Sequence, residues 1–453
     1  GAGSIKVSSV SKNIGLYVNQ GEADFNSNIE LGEGGIGVYL NGSADNTVKT
    51  TLRIGTTGNE ITQLSGTKSL GLVSIGEKAD IIIGVNGITL LGFNSLNSGV
   101  SFLQSSGSSS GSLGVYIKNS NIDNSAGGII RVGDYGAAVY LNSADVLRTI
   151  KLGKLESGIN SIGLYTENSS YIDSIDSITT GENSVGIYVK SGLFDNASTD
   201  ESRFYLGAGS KGYFLENGSL KSSLGSKNMV FGDDISGVLM TGDSNIDSSI
   251  KNIKIGDKTL SNIQPIVLSI QNLIGAKSLS ASLYGGDGAV GIYYVDTLSS
   301  GKMTYNGSGL ATPDIEIGKF GGIYPAVGIY AKSLNNDNVL DLNNTYLKVN
   351  GDEAIAVRTD GAAININNGT IEMTGKGVVF AIQNNGIINV SPTTEIITPD
   401  NGMVILRVED SAYINNSGTK IVVPNSSIGI FARNSAVIND GEIESKIFSG
   451  TKA

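Results

Sequence analysis

The chain has 453 residues, with 31 Lys plus Arg against 42 Asp plus Glu, a net charge of −11, no Cys and no His. These absences exclude a disulfide framework, a thiol nucleophile, the Ser-His-Asp triad, HExxH zinc sites and every centre ligated by His or Cys. No basic tract is present to follow a phosphate backbone, so no nucleic acid, metal or cofactor is expected as a ligand, while Ser-Lys, paired-carboxylate or Tyr-based chemistry stays open.

Gly occurs 63 times and Pro 6 times, with Asn, Ser, Thr and Asp between short apolar runs, which predicts many short strands joined by tight turns. The opening "GAGSIKVSSVSKN" lacks the charged and apolar regions of a signal peptide. No apolar run approaches the ~20 residues that span a bilayer.

A pattern of Gly-apolar-aromatic-apolar-polar starts at residues 15, 37, 114, 138, 163, 186, 212, 237, 291, 328, 354, 378, 403 and 429. Weaker copies at 71, 92 and 265 fill the longest gaps, so the period is about 25 residues, the mark of a solenoid. A second element with period-two alternation precedes it, as in "LRIG" (52), "IRVG" (130), "IKLG" (150), "IKIG" (253) and "IEIG" (315). A third, clearest in "AAININNGTI" (362) and "AVINDGEI" (436), runs an alternating strand into a turn residue able to take positive φ. Three short strands in each period leave no room for the paired amphipathic helices of a helical repeat. They predict an all-β, three-sided parallel β-helix of roughly 18 coils, read as one unit over residues 1–453.

Within the repeated strand, as in "GIYVK" at 186, positions two and four share one face and positions three and five the other. The second position is apolar throughout, so it and the fourth are expected inside. The third then points outward, where Tyr17, Tyr39, Tyr116, Tyr140, Tyr165, Tyr188, Phe214, Tyr293, Tyr330, Phe380 and Phe431 would stack as an aromatic ladder. Such a ladder is either structural, ring on ring between coils, or a contact stripe for sugars or a protein. The glycines at strand ends are expected to serve corners where φ turns positive.

Irregular or inserted regions are expected near 42–113, 194–203 and 296–326. In the last, 37 residues separate the copies at 291 and 328, and the loop "TLSSGKMTYNGSGLATPD" (297–314) offers Lys302, Met303, Tyr305 and Asn306 as a polar, aromatic contact surface. The acids of "FDNASTDESR" (194–203), Asp195, Asp200 and Glu201, lack the spacing of a calcium loop. "GGDGAVGIY" (285–293) matches calcium repeats only once. Asp233 and Asp234 invite comparison with glycosidases, but adjacent strand residues point to opposite faces, whereas paired catalytic carboxylates converge about 5–9 Å apart.

The runs "GIYAKSLNN", "AIAVRTDGAAININNGTIEMTGKGVVFAIQNNGIINV" and "GIFARNSAVINDGEIE" in the last third of the chain resemble the passenger region of the very large autotransporter adhesins of Gram-negative bacteria, most closely the fusobacterial type. The resemblance implies a right-handed β-helical passenger, exported through a C-terminal outer-membrane β-barrel and displayed on the cell surface. It implies adhesion to host cells or other bacteria through protein or glycan contacts, and no enzyme activity. The alternatives are a β-helical polysaccharide-degrading enzyme and a pure spacer carrying a distal binding tip. Two departures from the family pattern make the chain read as part of a longer passenger: the closing "SKIFSGTKA" has no barrel strands, and neither end shows a polar capping coil.

Overall fold

The computed structural model describes residues 4–445 apart from 7–12, 26–27, 31–33, 44, 46, 55–61, 66–69, 85–87, 92–112, 143–147, 169, 196–199, 261, 299–300, 320, 323, 335–336, 400 and 416–419. The expected weak copy at 92 therefore lies outside the described residues. What is described is strand after strand, with a single 3₁₀ turn at Glu201–Arg203. The chain is a parallel β-solenoid of two compact units, Gly1–Leu224 and Gly225–Ala453.

In unit 1 the repeated strands Ile14–Asn19, Ile36–Asn41, Leu70–Ile75, Leu113–Lys118, Ala137–Asn142, Ile162–Glu167, Val185–Asp195 and Lys211–Lys221 pair in parallel, each with the next. A second sheet runs from Ser4–Lys6 to Phe204–Leu206 and a third from Gly21–Phe25 to Ile150–Lys151, so the chain visits three sheets per turn. Unit 2 repeats the plan, its repeated strands being Ser236–Gly242, Ile266–Leu273, Val290–Asp296, Val327–Ser333, Ala354–Asp360, Gly377–Gln383, Val404–Glu409 and Ile428–Arg433. Among the described residues each unit shows eight such strands, slightly fewer in all than the roughly 18 coils expected, with the weak copy at 92 outside them. Where it is described, the region 42–113 contributes ordinary strands to all three sheets, among them Thr50–Ile54, Leu70–Ile75 and Ile88–Leu91.

The second and fourth positions fill the interior, as expected: Val115, Ile117, Val139, Leu141, Leu164 and Ile187 are all 0 % exposed. Each such side chain contributes about 1.5–3 kcal/mol by leaving water. Coil-to-coil register is continuous along this row, Val115 to Val139 to Leu164 to Ile187 to Tyr213.

The first-position glycines have a different cause from the one expected. Gly114, Gly163, Gly186, Gly237 and Gly291 do not have positive φ. A Cβ on any of them would instead lie 2.5–2.8 Å from the carbonyl oxygen of the same position in the next coil. In unit 1 it would also press on inner side chains such as Ile130 and Ile178, so this position points inward although the second does too. The break in alternation turns the residue before the glycine outward. Positive φ falls instead on the sixth position, at Asn119, Asn168, Asn384, Asp410 and Asn434 just past the strand and at Asn217 and Asn272 within longer strands, all between 49° and 65°. Asn and Asp tolerate that region through their short polar side chains.

Four copies sit one or two residues out of the expected phase. Phe380 pairs with Val357 and Leu406 in the interior row and is 3 % exposed, so Ala381 takes the ladder position. Arg358, Arg407 and Ser269 hold it in the copies begun at 354, 403 and 265. These copies lack a first-position Gly, and their unbroken aliphatic runs leave the phase undetermined.

Candidate functional site

The aromatic ladder exists in unit 1. Tyr116, Tyr140, Tyr165, Tyr188 and Phe214 occupy the third position of consecutive coils. Ring centroids are 5.1, 4.6, 4.9 and 4.6 Å apart, the first three contacts edge-to-face and the last stacked. Tyr17 and Tyr39 stack at 5.5 Å, and Val73 separates them from Tyr116.

Between a packed and an exposed stripe, the middle rungs are packed. Tyr165 and Tyr188 are 7 % and 6 % exposed and form one cluster with Leu113, Ala137, Ile162 and Val185, the residues preceding the first position. The tyrosines thus lie over an outer aliphatic row that sequence reasoning missed, although an apolar residue before the Gly recurs in "IGLY", "LGVY" and "VGIY". Their hydroxyls reach diagonally to the fifth position of the next coil, Tyr140 to Glu167 and Tyr188 to Glu216. Burial raises the Tyr116, Tyr140 and Tyr165 hydroxyls above the ordinary tyrosine range, with the Glu167 carboxylate adding to it, and burial likewise raises Glu216. The exposed end of the ladder is Tyr17, 54 % exposed.

The expected contact loop is rebuilt more thoroughly. Residues Gly301–Asn306 are a strand, paired in parallel with Gly275–Leu279 and Asn338–Asn343. Met303 and Tyr305 point inward at 1 % and 0 % exposure, and the Tyr305 hydroxyl donates to the Ala281 and Asp314 carbonyls at 2.8 and 3.1 Å. Lys302 pairs with Asp341 at 2.5 Å, and Asn306 donates to Ser278 at 2.8 Å. The four residues do not converge on one surface, because strand alternation sends two into the core. The segment 307–314 leaves the sheet as a loop, with Leu310 65 % exposed.

The carboxylates singled out in the sequence are engaged by the fold. Asp233, Asp257 and Asp287 form a ladder in which each Oδ1 accepts the backbone N–H one coil on, from Asp257, Asp287 and Lys319, at 2.8–3.0 Å. Asp234 accepts from the Thr259 and Leu260 N–H groups at 2.8 and 3.0 Å. Glu201, buried, accepts from Tyr213 at 2.7 Å, Asp195 accepts from Ser223 N–H at 3.0 Å, and Asp200 caps Ser202 at 3.1 Å. Among the described residues no group of three or more acidic side chains could hold a metal ion.

Unit 2 carries side-chain amide ladders that the sequence reading did not anticipate. Asn365 donates to Asp341 and Asn389 to Asn365, both at 2.8 Å; beside them Asn343 donates to Asn306 at 3.0 Å and Asn367 to Asn343 at 2.7 Å. The signal was available as Asp or Asn recurring every 24 residues, at 341, 365 and 389 and at 343 and 367.

A scan against protein-family models and searches of curated proteins and of solved structures return no match.

Proposed function

We propose that this chain is a segment of a bacterial cell-surface adhesin, a passenger β-solenoid presenting contacts to host-cell or bacterial-surface proteins and glycans. The observation that carries the reading is the coil-to-coil register of both units, which brings outward positions of the repeat onto successive coils in line. Weak contacts to a repetitive or multivalent surface then add, because each further one forms at high effective concentration. The passenger-like runs of the last third support it, as does the engagement of Asp233 and Asp234 by backbone N–H groups, which leaves them unsuited to glycosidase chemistry. Display outside the outer membrane rests on the same resemblance.

The test is binding of the purified chain to epithelial cells and to other bacteria, followed by flow cytometry over a concentration series. Saturable binding is expected. A folded chain that binds neither surface would be a spacer, and sustained release of sugars from surface polysaccharides would make it an enzyme.

A further inference from the structure

A cleft of about 360 Å³ opens in unit 2 between the loop residues 309–310 and the outward side of three consecutive strands, Thr345–Val349, Gly369–Met373 and Thr394–Ile397. Its floor is ordered by the repeat. Tyr346, Thr370 and Glu395 are register partners on successive coils, and Asn344, Asn368 and Thr393 stand two residues before them. Asn344, Asn368 and Thr393 come just ahead of the strands that begin at 345, 369 and 394, and both sets line the cleft, so the floor is two polar rows three rungs long, spanning about 10 Å at the usual inter-strand spacing.

The cleft is already assembled. Asp314, 3 % exposed, accepts the N–H groups of Ser308 at 2.8 Å and Tyr346 at 2.9 Å, while its own N–H donates to the Tyr346 carbonyl at 2.8 Å. The loop is thereby tied to the floor strand, and a ligand need not order it on binding. Asn368 donates to Asn344 at 2.8 Å and accepts from the Gly369 N–H at 2.9 Å, which fixes both amide planes. Glu395 is exposed and has no ion pair among the described residues. Leu310 and the half-buried Tyr346 ring add an apolar wall to these amides, hydroxyls and carboxylate.

We propose that this cleft binds a linear neutral oligosaccharide, laid along the coil direction with about one ring per rung. A pyranose presents hydroxyls at its edge and C–H groups on its face, and the rows offer amide donors, hydroxyl and carboxylate acceptors, and an aliphatic and aromatic wall to match. The coil spacing is close to the advance of one ring along an extended glycan. An extended peptide fits less well, because the strand backbones on this floor are already paired coil to coil and offer no edge. An anionic polymer would meet Glu395 and Glu372 on a chain of net charge −11. The inference rests on the adhesion reading in taking a surface glycan as the natural ligand.

The experiment titrates the whole chain with a panel of neutral trisaccharides, including cellotriose, tri-N-acetylchitotriose and maltotriose, by calorimetry and saturation-transfer NMR. The exposed-site variants Leu310→Asp and Glu395→Ala, and Tyr205→Ser on unit 1 as control, are measured alongside. At least one trisaccharide should bind saturably, at least tenfold more weakly to both cleft variants and unchanged to Tyr205→Ser. No binding across the panel, or binding that the cleft variants leave within twofold, overturns the assignment. Cell binding measured in parallel separates the two readings: cells bound without any trisaccharide remove the cleft alone, and trisaccharide bound without cells removes adhesion alone.

Discussion

In unit 1 the third position of the repeated strand is aromatic on seven of eight strands; in unit 2 it runs Leu239, Ser269, Tyr293, Tyr330, Arg358, Ala381, Arg407, Phe431. The interior rows are equally aliphatic in both, so the units differ in how the outside of one sheet is finished. Unit 1 builds a second apolar layer from stacked rings over Leu113, Ile162 and Val185. Unit 2 stacks Tyr293 on Tyr330 at 5.1 Å, lays Arg358 over the Tyr330 ring at 5.3 Å, and then changes to a polar network. There Arg358 donates to Gln383 at 2.8 Å, Gln383 to Glu409 at 2.8 Å, and Arg407 and Arg433 pair with Glu409 at 2.9 and 3.3 Å. A solenoid's inward code is therefore separable from its outward one: the first sets the fold, and the second can be aromatic or ionic coil by coil.

The largest expected contrast comes from stripping the two finishes. Tyr165→Ser with Tyr188→Ser should cost unit 1 about 3–5 kcal/mol by emptying its outer layer, whereas Arg358→Ser with Arg407→Ser should cost unit 2 about 1–2 kcal/mol. Hydrogen exchange on peptides from each unit reads the two separately, and equal losses would end the distinction. The ladder should also respond to alkali. With the Tyr140 and Tyr165 hydroxyls raised in the folded state, their contribution is complete below about pH 10 and is lost as pH climbs above it, because the unfolded chain ionises first.

Next in size is the crowded first position. Gly163→Val would set a side chain against the Gly186 carbonyl and Ile178 and should cost about 2–3 kcal/mol in urea unfolding. Val379, already at this position in unit 2, should accept Ala at about 1 kcal/mol.

The Glu409 network gives a smaller effect of opposite pH sense. Hydrogen bonding from Gln383 and the charges of Arg407 and Arg433 hold this carboxyl below its ordinary value, against the opposing effect of burial. Its contribution is present above the unfolded carboxylate range near pH 4 and is lost as pH falls through the lower folded value. Glu409→Gln should flatten the acid limb of unit 2 and leave that of unit 1 unchanged. Smallest of all, Asn389→Ala should cost about 0.5–1 kcal/mol by removing one amide rung, measured as a shift in thermal midpoint.

The period, the strand class and the inward positions were legible because burial repeats with the coil, and a side chain at Ile187 or Val115 can only be apolar there. The phase of the copies at 354, 378 and 403 was not, since "AIAV", "GVVF" and "MVIL" satisfy every register equally well. Nor could alternation alone reveal the inward kink at Gly163, because a glycine carries no side chain to mark its face. The contact residues failed for a related reason: Lys302, Met303, Tyr305 and Asn306 look like a loop beside Gly and Ser, yet "KMTYN" alternates polar and apolar as a strand does. The loop that does leave the sheet begins one residue later.

The asparagine ladders of unit 2 have a direction. In each contact the later coil gives the amide N–H and the earlier coil receives it, as from Asn389 to Asn365 to Asp341 and from Asn367 to Asn343 to Asn306. Amide dipoles aligned head to tail polarise one another, so a ladder behaves as a small electret laid on the surface. With each N–H turned toward the earlier coil, the donors are spent on it and the carbonyls face the later coil, so the last rung of the first ladder, Asn389, presents its carbonyl to the coil that follows. A coil joining on the C-terminal side meets a waiting acceptor, whereas the earliest rung of the first ladder, Asp341, has no amide N–H to give, so the same sequence reads as a template in one direction only.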